Sequence, residues 1–359
     1  IFPNLINLNR PPGKCIIFES MNIPLQKDLL NKLTPGTKVI VVPHRNPDGD
    51  ALGSCLGLAG VLRKTGCIVD VISPNAGPYF LNWMPGFNDL LIYEEQTQAC
   101  MSLIESAQVI FTLDFNDLSR TGIMGDQLSK SKAYMAMIDH HESPADYAQY
   151  MYTDTAMSST CEMVFHFVQQ AQLGQHIDRD IAQCLYTGLV TDTGSFKFSH
   201  TTPTTHRVAA SLIESGAPNQ QIHELIFDQN KPSKLALLGL ALHKMEVIRS
   251  CKTAILHLSQ DDLDLHDHQK GDTEGIVNYG LSLEGIVLSV IFIEHKHEGL
   301  IKISFRSQGS FSVNDLARKH FEGGGHRNAA GGKSTESLEK TIERFKSILL
   351  STEELCGTN

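Results

Sequence analysis

His44-Arg45-Asn46-Pro47-Asp48-Gly49-Asp50 puts one imidazole and two carboxylates directly after the apolar run Lys38–Pro43. Pro47 and Gly49 predict a loop there, with Asp48 and Asp50 two apart in an extended turn and aimed at different neighbours. Three further groups share that placement at the end of an apolar run. They are Asp114 in TLDFND, the run Asp139-His140-His141, and Asp192 in VTDTGSF. Taken singly, each is ordinary: an Asp ending a strand is a turn residue or helix cap, and a lone His is structural. Together, with carboxylates outnumbering imidazoles, they form a donor set for a pair of hard-to-borderline divalent cations, Mn²⁺ or Mg²⁺, rather than for structural zinc.

The elements around these residues explain how they could meet. Apolar runs at Lys38–Pro43, Ile68–Ile72, Val109–Leu113, Tyr134–Ile138 and Tyr150–Thr153 read as strands. Helical patterns at Ala51–Thr65, Ser158–Gln172 and Asp178–Thr191 alternate with them. Continuous apolar strands between helices predict an α/β unit with a parallel sheet covered on both faces. Ligands of such sheets collect at the carboxyl ends of the strands, where the four clusters fall.

A polar, Pro-containing stretch at Asp228–Lys234 marks a linker, followed by a bridging helix at Lys234–Met245. Beyond it lie strand patterns at Thr253–Leu258, Val287–Ile293 and Leu300–Arg306, a helix at Val313–His320, a glycine-rich loop at Gly323–Gly332 and a last helix from Ser337. That is a smaller mixed α+β unit. The expected division is an arm over 1–21, a catalytic unit over 22–227, linker and bridging helix over 228–245, and a substrate unit over 246–352. The first twenty residues, broken by Pro11-Pro12, receive no function; Met21 opens a helical pattern through Leu25, Leu29, Leu30 and Leu33.

In the second unit, Arg306 ends a strand, where its guanidinium can clamp a phosphate bidentately. Gly323, Gly324 and Gly325 let the backbone approach a ligand, and His326 beside them can donate to a phosphate or stack on a base.

The wider composition sets limits. The net charge of −10 argues against coating long duplex nucleic acid, but not against one short phosphorylated ligand held beside cations. The hydrophobic stretches Leu235–Leu242 and Val287–Ile293 are too short to span a membrane, and the start lacks the pattern of a signal peptide, so a cytoplasmic protein is expected. The eight cysteines contain no C-x-x-C pair and are expected to be reduced thiols without a chemical role. His266, His268, His295 and His297 read as solvated, Tyr79, Phe80 and Trp83 as core rather than a base-stacking surface, and Arg120 as away from the cleft rim.

His44-x-x-x-Asp48-x-Asp50, Asp114, Asp139-His140-His141 and Asp192 resemble the four motifs of the DHH phosphoesterase superfamily. Gly323-Gly324-Gly325-His326-Arg327-Asn328-Ala329-Ala330-Gly331-Gly332 resembles the signature of its DHH-associated domain. The likeness covers nearly all of residues 22–350, and the compact layout is similar to the nanoRNase/pAp-phosphatase type. The resemblance implies one metal on His44 and Asp48, a second on Asp50, His140 and Asp192, and Asp114 bridging the two. It implies a supporting carboxylate in Asp139, a phosphate contact in His141, and substrate contacts from Arg306 and the Gly323–His326 loop. The expected enzyme cleaves short oligoribonucleotides to mononucleotides, and 3′-phosphoadenosine 5′-phosphate to AMP, with Mn²⁺ ahead of Mg²⁺ as cofactor and as a homodimer. Linear or cyclic dinucleotide cleavage, exopolyphosphatase and pyrophosphatase activities remain alternatives, as does a non-catalytic nucleotide- or RNA-binding module.

Overall fold

A computed structural model describes residues 27–269 and 271–356. The arm expected over 1–21 and the first helical positions after it lie outside the described residues.

Six parallel strands form the first sheet: β1 (Lys38–Val42), β2 (Ile68–Ser73), β3 (Leu91–Ile92), β4 (Val109–Leu113), β5 (Tyr134–Asp139) and β6 (Tyr150–Thr153). Their order is β3-β2-β1-β4-β5-β6. The strand order reverses between β1 and β4, and a doubly wound sheet opens its ligand crevice at that switch point. His44 follows β1 and Asp114 follows β4, so the sequence puts donors on both sides of it. β4 is buried at every position, as expected for a strand covered on both faces.

The helix Gly49–Lys64 packs along Arg179–Asp192, and glycines set how close the two come. A Cβ at Gly53 would lie 2.5 Å from the carbonyl oxygen of Cys184, and one at Gly49 would lie 2.5 Å from Thr191 Oγ1. Close packing of these two helices brings Asp50, near the start of one, toward Asp192, at the end of the other.

The second sheet has β7 (Glu246–Ile248), β8 (Thr253–Leu258), β9 (Leu288–His295), β10 (Leu300–Ser307), β11 (Gly324–His326) and β12 (Ala329–Ser334), ordered β11-β12-β10-β9-β8-β7. Only β8 and β9 run parallel; the other neighbours are antiparallel. Both faces are covered, because β9 alternates its side chains between two cores. Val290 and Phe292 join Phe305, Phe321 and Phe345 on one face. Ile291 and Ile293 join Leu237 and Ala241 of the helix Pro232–His243 on the other. Each buried Phe contributes about 1.5–3 kcal/mol.

Three expectations change. The stretch Gly323–Gly332 is not a loop but a hairpin, with Gly331 and Gly332 paired to Ser304 and Ile303 of β10. Asp48 and Asp50 do not share an extended turn: Asp48 caps the Gly49–Lys64 helix and Asp50 lies within its first turn. Cys251 and Cys356 form a disulfide, so these two are not free thiols. The other cysteines among the described residues are buried and unpaired.

Candidate active site

Each metal-type side chain sits at an element end, and local contacts fix its orientation. Past β1, Asn46 takes φ +57°, and two hydrogen bonds with Asn75 pin it: Asn46 N donates to Asn75 Oδ1 (2.7 Å) and Asn75 Nδ2 to Asn46 Oδ1 (2.9 Å). Asp48 spends Oδ1 capping the helix through Asp50 N and Ala51 N, which leaves Oδ2 facing His44 Nε2 at 3.9 Å. Asp50 reaches the amino end of the helix Thr160–Gln170, where Thr160 N (2.6 Å) and Cys161 N (2.9 Å) donate to its two oxygens. Exposed amides at a helix start favour a carboxylate. Asp114, directly after β4, adopts φ +67°, a left-handed conformation uncommon outside glycine and tolerated best by Asp and Asn.

The imidazoles are oriented from behind. Nδ1–H of His44 donates to Arg45 O (2.9 Å), and Nδ1–H of His140 donates to Met157 O (3.2 Å). Each ring therefore turns Nε2 toward the carboxylates, the arrangement of a metal-binding histidine. His44 Nε2 lies 3.6 Å from Asp114 Oδ2, while His140 Nε2 lies 3.5 Å from Asp114 Oδ1 and 3.4 Å from Asp192 Oδ2. Four groups of three converge among the described residues; two of them are His44, Asp48 and Asp114, and Asp50, His140 and Asp192, while His141 joins His140 with His326 and Asp114 with Asp139 in the other two. Asp114 faces the first two with different oxygens. Asp139 Oδ1 meets His141 Nδ1 at 2.6 Å, while Oδ2 is buried without a partner.

Burial and like charge set the electrostatics of the cleft. Burial pushes the Asp50 carboxyl well above its ordinary range, and Asp114 and Asp192 push it further. Burial lifts Asp192 up to about 6, against the pull of His140. Asp114 goes the other way: burial raises it, but the imidazoles of His140 and His44 outweigh that and hold it well below. His140 is raised well above its usual value, because Asp192, Asp114 and Asp50 overcome the opposing effect of burial. Crowded carboxylates here raise one another and the imidazole among them. Divalent cations would offset that crowding of negative charge, and oxygen donors with two imidazoles can hold them. Burial drives the Cys55 and Cys161 thiols well up, so neither is a nucleophile.

The second unit closes on this centre through the hairpin. The His326 ring stacks on His141 with centroids 4.2 Å apart, and its centroid lies 4.7 Å from that of His140. Burial, then the two neighbouring imidazoles, keep His326 well below its ordinary value and hence neutral. Glycine is required where strands nearly touch: a Cβ at Gly323 would lie 1.9 Å from Gly331 O, and Gly325 has φ +150°. Gly324 pairs with Gly331 in the same hairpin. Asn314 ties hairpin to centre, accepting from Gly325 N (3.0 Å) and donating to Glu142 Oε2 (3.1 Å) just after His141. Arg306, at the end of β10, is half-buried and coupled electrostatically to Glu274, Asp192 and Asp48, in that order.

Thr160 and Asn314 had not stood out in the sequence. Thr160 Oγ1 donates to Asp114 Oδ1 (2.9 Å) while its amide holds Asp50, so one residue positions two carboxylates. The readable signal was the Ser159-x-x-Glu162 pattern, a helix start.

Other residues also landed differently. Tyr79 is not core: its hydroxyl donates to Asp272 (2.7 Å) of the second unit and Lys231 Nζ lies over its ring. Phe80 and Trp83 do pack against the first core. Arg120 does lie beside the His44 loop, its carbonyl accepting from Arg45 N (2.7 Å). His268 and His295 are not simply solvated, since their rings meet at 6.2 Å, with burial lowering His295 to about 4. Their ligand atoms converge on no group of three, whereas all such groups among the described residues lie in the cleft.

A carboxylate-rich cleft at the switch point of a parallel sheet, roofed by a second sheet unit, defines a hydrolase class built around divalent cations. Family comparison agrees. Residues 38–189 match the N-terminal domain of the DHH family, and residues 263–351 match the DHHA1 domain. The chain is 30% identical over 293 residues to a Thermus thermophilus protein named bifunctional oligoribonuclease and PAP phosphatase NrnA, covering 82% of this chain and 83% of that one. A Bacillus subtilis protein of the same name is 26% identical, over 92% of this chain and 99% of the relative. Among solved structures, an exopolyphosphatase-related protein from Bacteroides fragilis superposes with a TM-score of 0.88 at 35% identity, over 92% of this chain and 97% of that one. The chain belongs to the DHH family of phosphoesterases.

Proposed function

We propose that the protein hydrolyses phosphodiester bonds of oligoribonucleotides a few residues long, releasing mononucleotides, and converts 3′-phosphoadenosine 5′-phosphate to AMP. The observation that carries the reading is Asp114, whose two carboxylate oxygens serve two separate ligand groups. In this reading His44 and Asp48 hold one divalent cation, Asp50, His140 and Asp192 hold another, and Asp114 bridges them. The donor set favours Mn²⁺, with Mg²⁺ second. When bound, such cations would supply an activated water and stabilise the leaving oxygen.

The chain's own residues do the rest. Thr160 and the helix behind it lock Asp50 and Asp114 before substrate arrives. Asp139 orients His141, whose ring faces the phosphate beside His326. Arg306 grips a second phosphate, and Gly323, Gly324 and Gly325 let the hairpin that carries His326 come close to it. The relatives' names support the substrate, as does the hairpin packed directly over the metal ligands, which leaves little room for a long structured strand. Residues 22–227 would carry the chemistry and 246–352 the substrate grip, joined by 228–245. Among the described residues no helix is long and apolar enough to cross a membrane, and the reading carries a cytoplasmic homodimer.

The test is Asp114→Asn, which keeps size and removes charge. Wild type should bind two Mn²⁺ by calorimetry, and the variant fewer, with turnover nearly abolished and circular dichroism unchanged. A folded variant with wild-type stoichiometry and activity would overturn the bridging assignment.

A further inference from the structure

The turn that leads into the helix Thr160–Gln170 orients three metal-type side chains at once. Met157 O accepts from His140 Nδ1 (3.2 Å), Thr160 N and Cys161 N hold the two oxygens of Asp50 (2.6 and 2.9 Å), and Thr160 Oγ1 holds Asp114 (2.9 Å). A shift of this turn would therefore misdirect donors to both proposed cation positions.

A buried carboxylate grips the turn from behind. Glu162 is 1% exposed, and its Oε2 accepts from Ser158 N (3.3 Å), from Ser158 Oγ and from Thr205 Oγ1 (2.9 Å). Its Oε1 lies 3.6 Å from His166 Nε2. Thr205 in turn accepts from Thr202 N (3.0 Å) within the capping box of the helix Pro203–Glu214, so the carboxylate ties the turn to a second helix. A glutamate three residues after a capping serine ordinarily reaches back to that serine's own amide. Ser159 is the cap here, but Glu162 reaches one residue further, to Ser158, next to the carbonyl that orients His140.

Burial raises the Glu162 carboxyl, but hydrogen bonds from His166, Ser158 and Thr205 outweigh it and hold the group below the ordinary glutamate value. It is thus a charged acceptor inside the core. For stability alone, well-packed apolar groups serve a buried position as well as a hydrogen-bonded charge does. A charge is explained there if the exact placement of its donors matters.

Resting on the two-cation reading, we propose that Glu162 is a positioning residue: by fixing the turn at 157–160 against the helix Pro203–Glu214, it presets the directions of Asp50, Asp114 and His140 before the cations bind. It belongs to none of the ligand groups and acts through Ser158 and the turn.

The experiment compares wild type, Glu162→Gln and Ser158→Ala by three measurements. They are Mn²⁺ affinity by calorimetry, the Mn²⁺ concentration giving half-maximal hydrolysis of a diribonucleotide, and urea unfolding of the metal-free protein. Glu162→Gln, which keeps the size but removes the charge, should weaken Mn²⁺ binding about tenfold, the lower end for a group standing behind metal ligands. Ser158→Ala removes a single donor and should weaken it by a smaller factor; it gives the reading if Glu162→Gln folds poorly. Excess Mn²⁺ should restore most of the turnover, because the loss lies in binding the cations. A residue that only holds the fold together would lower the urea midpoint and leave the Mn²⁺ affinity of the folded protein alone. Mn²⁺ affinity and half-maximal concentration within about twofold of wild type, in every variant that folds, overturn the proposal. Wild type that binds no Mn²⁺, or keeps full activity in excess chelator, overturns the two-cation reading instead, so the two failures are distinguishable.

Discussion

Thr160→Val exchanges a buried hydroxyl for a methyl group while leaving the backbone amide that holds Asp50 in place. What disappears is the 2.9 Å hydrogen bond to Asp114 Oδ1. A hydrogen bond to a charged group contributes about 1.5–3 kcal/mol. Partners standing behind metal ligands typically change affinity or activity by about 10–100-fold. At about 1.36 kcal/mol per decade, the two ranges agree. Without the hydroxyl, Asp114 Oδ1 keeps His140 at 3.5 Å but loses the donor that fixes its direction. Mn²⁺ affinity should therefore fall about 10–100-fold, with kcat/KM falling alongside at limiting metal. Calorimetric Mn²⁺ titration and metal-dependent kinetics read this directly, and Thr160→Ser should recover most of the loss. Metal affinity and activity within about twofold of wild type, in a variant of normal fold, would refute the reasoning.

Gly53→Ala should destabilise by about 1–3 kcal/mol in urea unfolding and also weaken Mn²⁺ binding, because its methyl would meet the Cys184 carbonyl and part the helices carrying Asp50 and Asp192. Mn²⁺ affinity should drop as pH falls through about 6, where Asp192 takes up a proton, and His140, raised well above its usual value, should add a second released proton; calorimetry in buffers of different ionisation enthalpy counts them. For the metal-free protein the sign reverses: protonation of the raised Asp192 stabilises the fold below about 4, and that contribution is lost as pH rises through about 6. Arg306→Ala and His326→Ala should keep wild-type metal content but each lose about 1.5–3 kcal/mol in kcat/KM on nucleotides, and much less on a generic activated phosphodiester.

The parallel sheet was legible because its strands are unbroken apolar runs, and the metal-type residues because each ends such a run. The edge strand β3 was not, being two half-buried residues without a pattern. The hairpin at Gly324–Ser334 was hidden for a different reason. Glycines read as turns, but here they pair as strand residues, and at Gly325 and Gly332 the close backbone leaves no room for a Cβ. The helix start before Asp50 was misplaced because Gly49 was taken as a loop residue, whereas contact with Thr191 requires glycine at that helical position. Thr160 and Asn314 act on partners 46 and 172 residues away, a distance over which neutral polar side chains carry no sequence signal. The same holds for Cys251 and Cys356, separated by 105 residues.

In the proposed reading, a divalent metal pair in this cleft serves the cleavage of phosphoester bonds in short ribonucleotide substrates. Product analysis tests it most directly: a labelled triribonucleotide, 3′-phosphoadenosine 5′-phosphate and a long RNA are each incubated with the metal-stripped protein, with and without added Mn²⁺. Mononucleotides from the triribonucleotide and AMP from the bisphosphate are expected only when Mn²⁺ is present, with the long RNA cleaved poorly. Equal hydrolysis in excess chelator, or preferred cleavage of the long strand, would contradict it.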